Sequence, residues 1–472
     1  MTKAGRNAWL AVMGTVALFY LALMPLVLER LNPVTGDEPF YIMTAISMVR
    51  DRDLDESNNY NNRDYTELYP ADPLPANWRG WPAFPRTLPP HPAVSEQDGL
   101  FTKHALGLSI LIAMPYELGG RVAAMLVVLA CGVLLAGQMF LFARESGAPD
   151  YVAMLAALAL SISLPLAPYS LLLFPEVPAA LLILFAIRRL ALDDNSTVQW
   201  LALGAAVGFL PWLHQRFGVM SIVFAIFILV RLWRNRTIQP ALALIPVALG
   251  GISIITYNMW LYGQPTQNTE DHAGFSGITG TLNGAAGLVL DAQWGLFVAA
   301  PVMLVALSAI PVWYAHARRA VLICGFAVAP YLLVVAAYQV WWGEWGPPAR
   351  YLVPVVPLLA APLAAWLRVA TRWQWATAGG AWLVGLLLTI IGFANPQRFY
   401  HHPNGLNNLY SWLDERTGTN LSDRLVAYQF YAPDGEAQRI GLPITALVVM
   451  LLLSWWVTHS SNAVAKLNNP NR

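Results

Sequence analysis

Ten ionisable residues fall at the ends of long apolar runs or just beyond them: Asp37, Glu38, Lys103, His104, Glu176, His214, Arg216, Asp291, Glu344 and Arg350. A carboxylate so placed can take a proton from a hydroxyl or an amine. Lysine and arginine can steady a departing anion, arginine as a bidentate fork and lysine as a point charge. Hardly any ionisable residue falls in the middle of an apolar run, where charge is costly and would mark an ion or proton pathway. The pattern argues against an ion-coupled transporter and for chemistry at a membrane surface.

Composition supplies the membrane. The chain has 472 residues, 57% hydrophobic and 12% charged, against roughly 25% charged in soluble domains. Its apolar runs repeatedly reach about 20 residues, enough to cross a bilayer. The expected class is therefore an all-α integral membrane protein with a single polytopic domain over 1–472 and about twelve crossings. Nineteen tryptophans suit long membrane–water boundaries. The two cysteines, Cys131 and Cys324, lie inside apolar runs and read as packing residues.

The predicted spans are 8–28, 120–143, 151–166, 174–191, 198–212, 217–233, 239–261, 294–314, 319–340, 350–367, 374–393 and 441–457, with a short, re-entrant piece at 104–117. Between them lie a long first loop (29–103), a Gly-rich loop (263–293) that suggests a mobile lid or a re-entrant turn, and a late polar loop (394–440) long enough to cover a site. The last helix and its tail occupy 441–472. One face collects Lys3, Arg6, Arg144, Arg188, Arg189, Arg231, Arg234, Arg236, Arg318, Arg319, Arg368, Arg372, Lys466 and Arg472, with only Glu145, Asp150, Asp193 and Asp194 as acidic company. Short basic loops belong in the cytoplasm. Both termini are therefore expected there, with the three long loops outside.

The first loop opens with TGDEPFYIMTAISMVRDRDLDESNNYNNRDY (35–65). Phe40, Tyr41, Ile42, Ala45, Ile46, Met48 and Val49 recur at helical spacing, which predicts an amphipathic helix lying along the interface. Asp37 heads it, either as a plain N-cap or as a catalytic base. Lys103 and Arg350 are candidate phosphate ligands; the competing reading is snorkelling to lipid headgroups. Glu176, between Pro175 and Pro178, opens a helix and would serve its dipole whatever else it does. His214 and Arg216 share a tight outer turn, where a lone histidine is commonly a hydrogen-bonded structural residue. Asp51, Asp53 and Asp55 have the spacing of a calcium loop, but Glu56 stands where glycine is required, so a solvated acidic turn is expected.

These stretches together resemble the bacterial GT-C glycosyltransferases, in the branch of the protein O-mannosyltransferases and the lipid A aminoarabinose transferases. The residues that carry the resemblance are Gly36-Asp37-Glu38-Pro39, then Phe101-Thr102-Lys103-His104 ahead of an apolar helix ending at Leu118-Gly119-Gly120-Arg121, then Arg350-Tyr351 with Pro354 and Pro357. It is strongest over roughly the first 220 residues. It implies inverting transfer of a sugar from a polyprenyl-phosphate donor, with Asp37 as base, Glu38 as its supporting acid, and Lys103 and Arg350 at the donor phosphate. His104 and Ala105 replace the branch's two prolines, and Thr102 replaces an acidic residue that can assist a metal. No metal site or cofactor is therefore assigned.

The expected function is transfer to a cell-envelope lipid, glycan or protein, with His104, Glu176, His214, Arg216, Asp291 and Glu344 as further pocket candidates. Membrane lipids, the lipid-linked donor and an envelope acceptor are the expected partners; nucleic acid is not. The alternatives are a lipid-linked glycan flippase or exporter, and a glycan ligase or polymerase. A flippase should show paired repeats or charges deep in its spans, and neither is evident.

Overall fold

Backbone buried in hydrocarbon must satisfy its own hydrogen bonds, which leaves helices for a chain of this composition. A computed structural model describes residues 2–31, 33–69, 87–192, 195–235, 238–267, 274–401, 404–428 and 436–459. Asp193, Asp194, Arg236, His402, Lys466 and Arg472 lie outside the described residues, as do 70–86 of the first loop. The first half of the chain contains α1 (Lys3–Arg30), α2 (Glu38–Ile46), α3 (Ser57–Asn62), α4 (Leu106–Glu145), α5 (Asp150–Ser161), α6 (Leu166–Tyr169), α7 (Glu176–Ala191), α8 (Thr197–Leu213) and α9 (Gly218–Asn235). The second contains α10 (Ala241–Tyr262), α11 (Ile278–Leu290), α12 (Leu296–Ala299), α13 (Val302–Ser308), α14 (Ile310–Ala337), α15 (Ala360–Val369), α16 (Arg372–Ala394), α17 (Asn408–Thr417) and α18 (Glu436–Thr458).

Among the described residues, seven helices are long and apolar enough to cross a membrane: α1, α4, the stretch from 215 through α9, α10, α14, α16 and α18. Only 11% of the most apolar window of α10 and 6% of that of α18 is covered by the rest of the protein. Leu249, Ile252, Leu451, Leu452 and Trp455 stand exposed on them. Such faces need lipid against them, and the chain is a membrane protein.

Several predicted spans are shorter or broken. The expected 294–314 span is cut at Pro301 into α12 and α13, and α14 then runs through the expected turn at Arg318 and Arg319, with a single non-helical residue at Ala317. The expected 350–367 span begins as two 3₁₀ turns, 350–352 and 356–359, before α15. Pro354, between the turns, and Pro357, in the second, lack the amide N–H that a continuous α-helix would use there. In place of a loop, 278–290 is helical and forms α11. The predicted re-entrant piece and the span after it are one helix, α4, interrupted where Gly119 and Gly120 leave helical geometry, Gly120 at φ 59°.

The expected exposed face of the first-loop helix is corrected. All nine residues of α2 are buried, and α2 packs against α4. Its polar side chains face neither water nor lipid: Thr44 donates to the Phe40 carbonyl (2.9 Å) and to Glu56 (2.6 Å), and Ser109 of α4 donates to the Tyr41 carbonyl (2.9 Å). Each large apolar side chain so buried contributes about 1.5–3 kcal/mol. The helix is thereby fixed as a strut from which Asp37 projects.

α8 and α10 cross where their backbones nearly touch. A Cβ at Gly208 would stand 2.5 Å from the Pro246 carbonyl oxygen, and one at Gly250 would stand 2.3 Å from that of Gly208. One residue on, a Cβ at Gly251 would meet nothing within 4 Å. Gly250→Ala should therefore lower stability by about 1–3 kcal/mol. Gly251→Ala should be neutral or stabilising by up to ~1 kcal/mol. Thermal unfolding in detergent tests the contrast.

Candidate functional site

Four of the residues singled out from the sequence form one charge cluster. Asp37 occupies the N-cap position of α2 without capping it: its carbonyl takes the Phe40 and Tyr41 amides (3.2 and 3.3 Å), while its carboxylate pairs with the Arg350 guanidinium. Arg350 also donates through Nε to Glu176 Oε1 (2.9 Å) and through Nη1 to the Gly343 carbonyl (3.2 Å). The same Glu176 oxygen accepts from Arg216 Nη2 (2.7 Å). Arg350 lies over the Phe174 ring at 4.6 Å and Arg216 over that of Tyr351 at 4.4 Å. The side chain of Glu176 is 0% exposed and that of Arg350 8%, whereas Asp37 keeps 24%. Asp37 is the most exposed member of the cluster.

Backbone geometry holds this end in place. Gly36 sits at φ 69°, and a Cβ there would be 3.0 Å from the Trp345 carbonyl oxygen and 3.1 Å from Phe174 Cζ. Only glycine combines that conformation with that closeness, which brings Asp37 against the 343–350 loop. The loop carries three further left-handed residues, Gly343, Glu344 and Ala349. It is pinned by Tyr169, whose hydroxyl donates to the Pro347 carbonyl (2.7 Å), and by the Ala349 amide, which donates to the Trp294 carbonyl (3.0 Å). Glu344 is exposed at the tip of this loop.

Glu38 points the other way. It is fully buried, accepts from the Leu173 amide (3.0 Å) and faces Arg121 Nη2 at 3.8 Å. Its second oxygen, Oε1, has no hydrogen-bond partner. Burial raises its pKa, and the Arg121 charge and the Leu173 amide recover only part of that shift. For Asp37, burial also acts upward, but Arg350, with smaller contributions from His104 and His91, outweighs it and holds the carboxyl below the ordinary range.

The other candidates divide. His214 accepts the Arg216 amide at Nδ1 (3.3 Å) and is kept neutral by desolvation and then by the Arg216 and Arg350 charges. His104 stacks on Phe40 and lies within the field of Asp37, Lys103 and Arg350. The Lys103 backbone is anchored to the His91 carbonyl (3.0 Å), which sets the lysine beside His104. Asp291 takes three backbone amides, those of Gln293 (2.8 Å), Trp294 (3.0 Å) and Tyr428 (2.7 Å). It fastens the 428 region to the turn after α11.

One residue near the site went unnoticed in the sequence and another was misplaced. His91, within Pro89-Pro90-His91-Pro92, has no sequence neighbour to mark it; only folding brings it to His104. Glu56 was read as part of a solvated turn, yet it is buried under the Thr44 hydroxyl. The acids around it serve the turn: Asp55 takes the Ser57 and Leu100 amides (3.0 and 2.8 Å), Asp53 the Ser47 hydroxyl (3.0 Å) and Asp51 the Asn59 amide group (2.7 Å). Among the described residues no three His, Cys, Asp or Glu side chains gather as a metal site.

Removing a buried ion partner strands the charges it served, at a cost of about 3–5 kcal/mol. Glu176→Gln should therefore lower the melting temperature far more than Asp37→Asn. Burial raises Glu56 from 4.5 to about 7. The folded state then binds the extra proton between those values, so stability should fall by up to about 1.4 kcal/mol per unit as pH rises through that interval. Glu56→Gln should flatten that slope in melts recorded across it.

No family model matches the chain, and no curated protein matches it. Two solved structures were found to be similar. ArnT from Cupriavidus metallidurans bound to undecaprenyl phosphate aligns with a TM-score of 0.50 at 15% identity, over 97% of this chain and 75% of that one. ArnT from the same organism in the apo state aligns with a TM-score of 0.46 at 15% identity over the same shares. Along nearly its whole length, the chain shares the fold of ArnT, built of helices throughout the described residues.

Proposed function

We propose that the protein is a membrane glycosyltransferase that moves a sugar, with inversion, from a polyprenyl-phosphate donor to an acceptor on the outer face of a bacterial inner membrane. The acceptor would be a cell-envelope lipid, glycan or protein. The observation that carries this reading is the partly exposed Asp37 carboxylate at the end of an otherwise buried ion cluster, paired with Arg350. The likeness in fold to ArnT bound to undecaprenyl phosphate supports the donor class.

In this reading Asp37 takes the proton of the acceptor hydroxyl or amine as the acceptor attacks the anomeric carbon. The bond from that carbon to the phosphate oxygen breaks, and the oxygen leaves with the electron pair. Arg350 and Lys103 steady the charge that develops on it. Pairing with Arg350 makes Asp37 a weak base at rest. A donor phosphate competes for the same guanidinium, which loosens the pairing and raises the basicity of Asp37 when the donor is bound. Glu38 supports from behind by holding the start of α2 to the Leu173 amide.

The test uses the purified full chain, a labelled polyprenyl-phosphate sugar and a membrane extract as acceptor. Asp37→Asn should reduce sugar transfer by at least about 100-fold and leave donor binding and melting temperature largely intact. Transfer at the parental rate by that variant would remove Asp37 as base. Lys103→Ala should weaken donor binding more than it alters folding; unchanged donor affinity would take the lysine out of the site.

A further inference from the structure

A carboxylate clasped by arginine is a poor final resting place for a proton, and two imidazoles lie on the helical turn that Asp37 opens. His91 Nδ1 and His104 Nε2 are hydrogen-bonded at 3.2 Å. Phe40 stacks on both rings, with centroids 3.7 Å from His91 and 5.2 Å from His104, and Tyr41 meets His104 edge-on at 5.3 Å. Phe40 and Tyr41 are the residues whose amides bond to the Asp37 carbonyl. The imidazole pair therefore rests on the helical turn that Asp37 opens, and the Lys103-to-His91 backbone bond fixes the register of the two rings.

When both rings are neutral, the N–H···N bond uses one hydrogen and one lone pair. The outer nitrogens then hold one hydrogen and one lone pair between them, so the pair can take up one proton. The charged groups facing His104 are Asp37, which favours its protonated form, and Lys103 and Arg350, which oppose it. Burial first, then His91, and these cations after it, bring His104 down to about 4. It is thus neutral at pH 7, yet still a stronger base than Asp37, which Arg350 holds below 3.8. A donor phosphate would offset both cations and widen the pair's capacity.

Resting on the glycosyltransferase reading, we propose that the His91–His104 pair is the proton's next stop after Asp37. As the acceptor heteroatom bonds to the anomeric carbon and the phosphate oxygen departs with its electron pair, the acceptor's proton passes to Asp37. It then passes, by way of solvent at the exposed edge of Asp37, to the imidazole pair, which restores the carboxylate and leaves one imidazolium to discharge to solvent. The pair acts through Asp37 and does not itself touch the sugar.

The experiment is a pH–rate profile of the purified full chain with a labelled polyprenyl-phosphate sugar and a membrane extract. His104→Asn should lower kcat by about 10- to 100-fold, leave KM for the donor nearly unchanged and alter the acid limb of the kcat profile. Imidazole in the buffer should restore part of the rate of His104→Ala. Parental kcat and profile in His104→Asn would overturn the relay, as would a loss equal at every pH that imidazole does not rescue. Should His104→Asn fail to fold, His91→Gln carries the same test on the second ring. A parent protein that transfers no sugar overturns the glycosyltransferase reading, and the relay with it. An active parent in which Asp37→Asn is inactive and His104→Asn is normal overturns the relay alone.

Discussion

The arrangement around Asp37 depends on one shared oxygen, Glu176 Oε1, which accepts from both Arg350 and Arg216. A lone guanidinium in a low-dielectric interior is costly, and two near one another are worse. A single carboxylate between them makes the pair tolerable, and its burial leaves little water to weaken the attraction. Because Glu176 already engages both arginines, Arg350 reaches Asp37 from a fixed position. The reactive end of the cluster inherits its geometry from the buried end.

The backbone follows from the same need. Helices cannot bring side chains from residues 37, 176, 216 and 350 together unless they start or stop at one level. Glycine and proline set those stops: Gly36 ahead of α2, Pro175 ahead of α7, and the Gly- and Pro-rich 343–357 stretch ahead of α15. Phe174 and Tyr351 present aromatic surface to the charged groups, with the Arg350 and Arg216 guanidiniums over their rings.

Much of this could be read along the chain, for reasons that also explain what could not. Hydropathy gave the all-helical membrane class, because apolar length is a local property. It overstated the regularity of 294–314 and 350–367, where prolines within apolar segments divide what composition alone joins. The face of α2 was misread because helical periodicity shows that one side is apolar but does not show whether protein or lipid covers the other. Asp37, Glu176, Arg216 and Arg350 stood out as charges at the ends of apolar runs, and the structure brings them into contact. Asp291 stood out for the same reason and proved to hold backbone amides instead. His91 gave no signal, since its partner is met only through the fold.

The left-handed joint at Gly119 and Gly120 has a consequence for how deep the chain sits. A straight helix of 40 residues would measure about 60 Å at ~1.5 Å per residue, about twice the ~30 Å of hydrocarbon it has to traverse. The portion after the joint is long enough for that passage, while the portion before it is too short. Bilayer thickness then acts as a ruler: the portion after the joint spans it alone, and the leading portion of α4 is left over to brace α2, to which Ser109 bonds.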